Sequence, residues 1–269
     1  MSGSRMKYLF KEWETVRKKF KGRRLLLFLD FDGTVVPIAR TPDKVVLPDE
    51  SAALLSKLAR SPQADVAFIS GRSLKDVRRR VGLRGVVYSG NHGLEIRGKR
   101  INFTVSLPLG YHEAVKKISN ILKRKASSVP GAFVEDKGLS LSLHYRLADK
   151  KSVPGLRSAF YAAVASFLSC RKVRVRPGKM VLELRPAVDW DKGSAVSWIL
   201  RRQTRLPGGR NIFPFYLGDD VTDRDAFRAL KGKGITVSVG RNKRLCADYY
   251  LKNQSEVVEF LRRIYGELR

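Results

Sequence analysis

Cysteine is scarce in this chain: two in 269 residues, Cys170 and Cys246, far apart and neither part of a CxxC pair. Their placement argues against a disulfide framework or a thiolate metal site and fits a reducing compartment. Histidine is almost as rare, and His92, His112 and His144 show no zinc-ligand spacing. Long apolar runs are missing as well. The longest near the N-terminus, residues 25–29, falls far short of the ~20 residues that span a bilayer. A basic cluster at 17–24 precedes it, but no small-residue cleavage site follows, so no secretory signal is expected. These absences together predict a cytoplasmic protein.

Negative charge is the other shortage. Against 54 Lys+Arg stand only 25 Asp+Glu, a formal net charge of +29. Such an excess suits a nucleic-acid binder, a membrane-surface protein or an enzyme for anionic substrates. The basic residues are dispersed, however, at 78–80, 123–125, 150–151, 171–176, 201–202 and 262–263. No block reaches tail length, no aromatic residues interleave as an RNA-stacking platform requires, and no helix-turn-helix or zinc-finger spacing is present. Solvated basic faces are expected, with weak non-specific polyanion binding and no specific nucleic-acid partner.

What is present is a globular composition, 43% hydrophobic, in which strand-like and helix-length stretches alternate. LLLFLD (25–30), DVAFIS (65–70), GVVYSG (85–90), PFYLGD (214–219) and GITVSV (234–239) read as strands covered on both faces. Helix candidates lie between them at 49–61, 73–81, 191–203 and 223–231, and a final amphipathic helix at 255–268 starts on Ser255 as its cap. This alternation predicts an α/β, Rossmann-like core with a parallel sheet. The middle breaks the rhythm. Helix 110–126, alternating strands 132–137 and 139–146, helix 154–169 and strands 171–177 and 179–186 form a twofold αββ pattern whose sheet has one open face. Residues 107–185 are therefore read as an inserted α+β cap, with 1–106 and 186–269 as the core.

The chemistry-bearing residues cluster at predicted strand ends, where open α/β sheets bind ligands. Asp30 and Asp32, two apart, leave the first apolar strand on one side; Gly33 permits a sharp turn and Thr34 brings a hydroxyl. Alone, this stretch also reads as an Asx turn. The next strand ends in Ser70, Gly71 and Arg72, and a later one in Asp219 and Asp220 with Asp223 close behind, while Lys192 opens a helix after Asp191. Each has an ordinary reading as a turn hydroxyl or helix cap. The set, in this order and setting, is too specific for coincidence.

The constellation resembles the haloacid dehalogenase superfamily. DFDGT, ISGR, GNHGLE, VEDKGLSLSLHYR, LELRP followed by DWDKGSAV, and GDDVTDRDAF look like the trehalose-6-phosphate phosphatase family within it, across roughly residues 25–260. Arg224 stands where relatives usually carry an acidic residue, without occupying a motif position. Residues 1–24 lie outside the resemblance, and no fused synthase domain is expected.

The resemblance implies Asp30 as nucleophile and Asp32 as general acid, then base. It implies Mg²⁺ held by Asp30, the backbone carbonyl of Asp32 and Asp219, with Asp220 and Asp223 supporting. Lys192 and Ser70 would contact the phosphoryl oxygens, with Thr34 nearby. Signs favour the metal: several carboxylates and an anionic phosphate coexist only if a divalent cation and Lys192 offset them. The cap would act as a lid, offering Glu135, Lys137, His144, Arg146 and Glu183 on alternating strand positions. Glu135 and Glu183 are the favoured acceptors of sugar hydroxyls. Arg72, Asn91 and His92 sit on core loops that would meet substrate. The expected activity is that of a phosphoric monoester hydrolase releasing phosphate from trehalose 6-phosphate in trehalose biosynthesis, acting as a monomer. Rival readings are a phosphatase for sucrose phosphate or a glucosyl- or mannosylglycerate phosphate, a phosphomutase, and a nucleic-acid binder on a phosphatase-like fold.

Overall fold

Five consecutive apolar residues, Leu25, Leu26, Leu27, Phe28 and Leu29, need cover on both faces, and the structure supplies it. Leu25, Leu27 and Leu29 pack into one apolar cluster, Leu26 and Phe28 into another, and all five are fully buried. At ~1.5–3 kcal/mol for each large side chain removed from water, this strand anchors the sheet. The structure is a computed structural model that describes residues 6–39, 45–205 and 211–269.

The described residues run in order through β1 (Lys7–Tyr8), α1 (Trp13–Phe20), β2 (Arg24–Leu29), α2 (Asp49–Arg60), β3 (Ala64–Ile69), α3 (Leu74–Val81), β4 (Val87–Gly90), β5 (Glu95–Gly98) and β6 (Ile101–Thr104). There follow α4 (Tyr111–Ser127), β7 (Phe133–Asp136), β8 (Leu141–His144), α5 (Val153–Ser169), β9 (Val173–Gly178) and β10 (Val181–Pro186). The chain ends with α6 (Lys192–Thr204), β11 (Ile212–Gly218), α7 (Arg224–Leu230), β12 (Ile235–Val239), β13 (Tyr249–Leu251) and α8 (Gln254–Glu267). Among these residues no helix is long and apolar enough to cross a membrane.

The large sheet has the order β1-β13-β12-β11-β2-β3-β4-β5-β6. Its strands pair in parallel from β1 to β4, as the two-sided apolar runs predict. The β4–β5 and β5–β6 pairs are antiparallel, an edge hairpin that the alternation in sequence does not reveal. Residues of α1, α2, α3 and α8 cover one face and those of α6 and α7 the other. The connections diverge between β2 and β11, which pair in register through Leu29 and Leu217. Their carboxyl ends therefore open side by side, at the switch point where doubly wound sheets place ligands.

The chain divides into two compact units, one formed by the residues up to Thr104 together with those from Trp190 on, the other by Val105–Asp189. The second unit builds its own antiparallel sheet, order β7-β8-β10-β9, so the two αββ repeats meet through β8 and β10. Leu141, Leu143, Leu182 and Leu184 face a core shared with Ile118, Leu122, Phe160 and Val164 of α4 and α5. The opposite face carries Glu135, Ser142, Glu183 and Arg176 in cross-strand register. Arg174 Nη2 donates to Asp189 Oδ1 at 2.8 Å, which ties the segment after β10 to this unit beyond residue 185.

Helix starts follow local chemistry. Ser73 caps α3 by accepting from the Asp76 N–H, and Asp191 caps α6 by accepting from the Ser194 N–H. For α8 the cap is Asn253, not Ser255: its extended backbone lets the side chain accept from the Glu256 N–H, and Ser255 lies inside the first turn.

Candidate active site

The turn after β2 sets the first carboxylates. It is closed by the Gly33 N–H to the Val36 carbonyl at 2.7 Å and by the Val36 N–H to the Phe31 carbonyl at 3.1 Å. Gly33 has φ +86°, and a Cβ there would lie 2.1 Å from Asp219 Oδ2, so only glycine lets the two strand ends approach. Thr34 Oγ1 donates to Asp219 Oδ1 at 3.1 Å and reaches Asp30 Oδ2 at 3.5 Å. Asp30 itself is buried, its N–H bonded to the Leu217 carbonyl at 2.9 Å.

Lys192, the first residue of α6, is buried and bridges two carboxylates. Its Nζ lies 2.7 Å from Asp30 Oδ1 and 2.7 Å from Asp223 Oδ1. Asp223 is fully buried and also accepts from Tyr216 Oη at 2.7 Å and, through Oδ2, from the Asp220 N–H at 3.0 Å. A Cβ on Gly218 would meet Asp223 Cγ at 2.4 Å, so the end of β11 must be bare to admit this carboxylate. Asp220 contributes through its main chain and through a capping box with Asp223.

One carboxylate oxygen from each of Asp30, Asp219 and Asp223 lies within 4.8 Å of the other two. Burial pushes the Asp30 carboxyl well above its ordinary value; Lys192 opposes that rise, while Asp223 and Asp219 add to it. Burial and then the Asp223 charge push Asp219 up to about 7. Burial pulls Lys192 down, but Asp223 and Asp30 prevail and raise it, so it stays an ammonium. One ammonium cannot balance three carboxylates in a largely buried site. A compact divalent cation with hard-oxygen preference fits the donor set, which is all oxygen and holds the unbalanced charge.

Asp32 lies outside this acidic group. Its carboxylate accepts two hydrogen bonds from Arg72, Nε to Oδ2 at 2.7 Å and Nη2 to Oδ1 at 2.6 Å. The loops after β3 and β4 interlock around that arginine. Ser70 Oγ accepts from the Arg72 N–H at 3.1 Å, the Asn91 N–H donates to the Arg72 carbonyl at 2.7 Å, and the His92 N–H to the Ser70 carbonyl at 2.9 Å. Asn91 and His92 hold consecutive left-handed conformations, φ 50° and 56°, a strain concentrated beside the site. Asn91 Nδ2 further donates to Glu95 Oε2 at 2.9 Å.

In the second unit, Lys137 Nζ donates to Glu183 Oε1 at 3.1 Å, and Glu183 also receives the Arg185 guanidinium. His144 Nε2 lies 2.9 Å from Glu135 Oε2, and its ring stacks on Phe133 with centroids 4.6 Å apart. Glu135, Lys137, His144 and Glu183 thus form one polar cluster. Arg146 instead turns to the Lys179 carbonyl at 3.0 Å. Sequence reasoning missed Tyr216, Asp76 and Arg185. Tyr216 reads as one more strand residue before GDD, and Asp76 as the third residue of a capped helix; these ordinary roles account for both, although their partners, Asp223 for Tyr216 and Arg72, Arg79 and Arg80 for Asp76, lie within seven residues.

Among solved structures the fold is similar to that of a haloacid dehalogenase-like hydrolase from Bacteroides thetaiotaomicron, with a TM-score of 0.62, 15% identity and coverage of 90% of this chain and 100% of that one. A switch-point site of aspartates and a lysine on this sheet defines a protein of the haloacid dehalogenase fold class. A family model described as trehalose-phosphatase matches residues 28–255. Probable trehalose-phosphate phosphatase 3 of Oryza sativa subsp. japonica is 34% identical over 270 residues, covering 94% of this chain and 72% of that protein. The C-terminal domain of the Candida albicans trehalose-6-phosphate phosphatase superposes with a TM-score of 0.77 at 25% identity, covering 99% of both chains. The chain belongs to the trehalose-phosphatase family.

Proposed function

We propose that this protein is a Mg²⁺-dependent phosphatase that hydrolyses trehalose 6-phosphate to trehalose and phosphate through an aspartyl-phosphate on Asp30. The observation that carries the reading is the buried Asp30–Lys192–Asp223 bridge at the paired ends of β2 and β11, in a member of this family. Asp30, Asp219 and the backbone carbonyl of Asp32 would hold the metal ion, with Asp223 beside them and Asp220 supporting. Bound there, the ion supplies positive charge against the phosphoryl oxygens.

The Asp30 carboxylate attacks phosphorus while the bond from phosphorus to the sugar oxygen breaks, and Asp32 gives that oxygen its proton. Asp32, now a carboxylate, takes a proton from water; the water oxygen attacks phosphorus, the Asp30–phosphorus bond breaks and phosphate leaves. Lys192 fixes the rotamer of Asp30 and adds positive charge near the transferring group, and the Ser70 hydroxyl serves the same oxygens. Thr34 holds Asp219 in place. The polar cluster of the second unit, with Glu135, Lys137 and Glu183, suits sugar hydroxyls, which carboxylates accept, and Arg146 is assigned to substrate contact outside that cluster. Asn91 and His92 are assigned to substrate contact as well.

A phosphate-release assay on trehalose 6-phosphate tests the chemistry. Asp30→Asn should lower turnover ~10⁴-fold or more with an unchanged melting temperature. EDTA should silence the wild type and Mg²⁺ restore it. Retained turnover in Asp30→Asn would remove the covalent step, and full activity in excess EDTA would remove the metal.

A further inference from the structure

Arg72 was expected at the substrate, yet three of its guanidinium nitrogens are committed to carboxylates of the same unit. Nε and Nη2 grip Asp32 from both oxygens, and Nη1 donates to Asp76 Oδ2 at 2.7 Å. The guanidinium stacks over the Phe31 ring, 5.6 Å from its centroid, and the main chain of Arg72 is pinned by Ser70 and Asn91. Its side chain is only 8% exposed, whereas Asp32 keeps 35%. An arginine locked below thus holds a carboxylate that still faces outward.

The anchor is equally fixed. Asp76 Oδ2 also accepts from Arg80 Nε at 2.7 Å, Asp76 Oδ1 accepts from Arg79 Nη2 at 2.7 Å, and its N–H is bound by the Ser73 cap. Arg80 is buried in turn, with Nη1 on the Val45 carbonyl at 2.8 Å. Two carboxylates and a buried guanidinium make a rigid fork. Bidentate pairing of this kind fixes geometry as well as charge.

We propose that Arg72 is the positioning residue for the acid–base carboxylate of Asp32, and that Asp76 is the anchor that keeps Arg72 in that geometry. The proposal rests on the reading of Asp32 as acid and base. A partly exposed aspartate otherwise samples several rotamers, and proton delivery to the departing sugar oxygen needs one. When Asp32 has given that proton, the anion left behind faces a guanidinium already in place. The same carboxylate, in the same orientation, then receives the proton of the attacking water.

The test is a double-mutant cycle on trehalose 6-phosphate with Mg²⁺, reading kcat and KM separately. Arg72→Ala should lower kcat about 10- to 100-fold with KM within about twofold. In an Asp32→Asn background the same substitution should cost little more, since the group it positions is gone. Asp76→Asn, which leaves Arg72 in the chain, should give the same pattern more weakly and serves if Arg72→Ala fails to fold. A raised KM with kcat preserved, or a full further loss on top of Asp32→Asn, would make Arg72 a substrate contact and overturn the proposal. Wild-type turnover in Asp32→Asn alone would instead refute the acid–base role on which it rests.

Discussion

A methyl group at position 33 would sit 2.1 Å from an Asp219 oxygen, on a backbone with φ +86°. Gly33→Ala must therefore move either the turn after β2 or Asp219, besides bearing a left-handed strain of ~1–2 kcal/mol. Turnover should fall ~10²-fold or more, as misplacement by an ångström does, and a phosphate-release assay beside a thermal melt separates this from unfolding. Asp76 offers a pH test. Burial pushes its carboxyl up, but hydrogen bonds from Arg80, Arg72 and Arg79 prevail and hold it at about 2, below its ordinary 3.8. A depressed carboxylate stabilises the fold above its unfolded value and ceases to as pH falls through the folded one. The melting temperature of Asp76→Asn should thus lie below that of the wild type at neutral pH, and the gap should close between about pH 4 and pH 2. At this scale a residue was legible where no ordinary local role explained it. DFDGT announces itself because its spacing alone aims both carboxylates at the strand mouth. Asp76 and Tyr216 stayed silent because a capped helix and an apolar strand explain them fully, although Arg72 lies only four residues from the one and Asp223 seven from the other. Arg80, read as a solvated face, is buried against Asp76 and Val45.

Elements were legible where their period had room to show. β2, β3 and β11 bury both faces over six or seven residues and read as apolar runs. β1, β5, β6 and β13 span only two to four residues, too few for a two-residue period to declare itself. Helix α1 does carry a stripe, Trp13, Val16 and Phe20, but the basic cluster that overlaps it dominated the reading of 17–24. That stripe closes the core: Trp13 meets Phe260 of α8 edge-on at 6.2 Å, and Phe260 meets Phe215 of β11 at 5.5 Å. Phe260→Ala should cost ~3–5 kcal/mol of stability, read as a lower denaturant midpoint with an unchanged slope. A cost under ~1 kcal/mol would mean that α8 is not part of the core that carries the site.

Across the whole molecule, the alternation of β and α predicts the parallel core, and its interruption predicts the twofold αββ insertion; both are seen. The second unit has its own apolar cluster, with Leu141, Leu143, Phe160, Leu182 and Leu184 buried, and it closes its own sheet. Expressed as residues 105–189, it should melt cooperatively by far-UV circular dichroism; a broad, featureless melt would show that its core needs the rest of the chain. Nothing in the site explains the net charge of +29. The central claim concerns substrate, and a phosphate-release screen reaches it most directly: the intact protein with Mg²⁺, offered trehalose 6-phosphate, sucrose phosphate, and glucosyl- and mannosylglycerate phosphates at equal concentration. The account predicts the highest kcat/KM for trehalose 6-phosphate, lost in Asp30→Asn. A clear preference for any other sugar phosphate would contradict it.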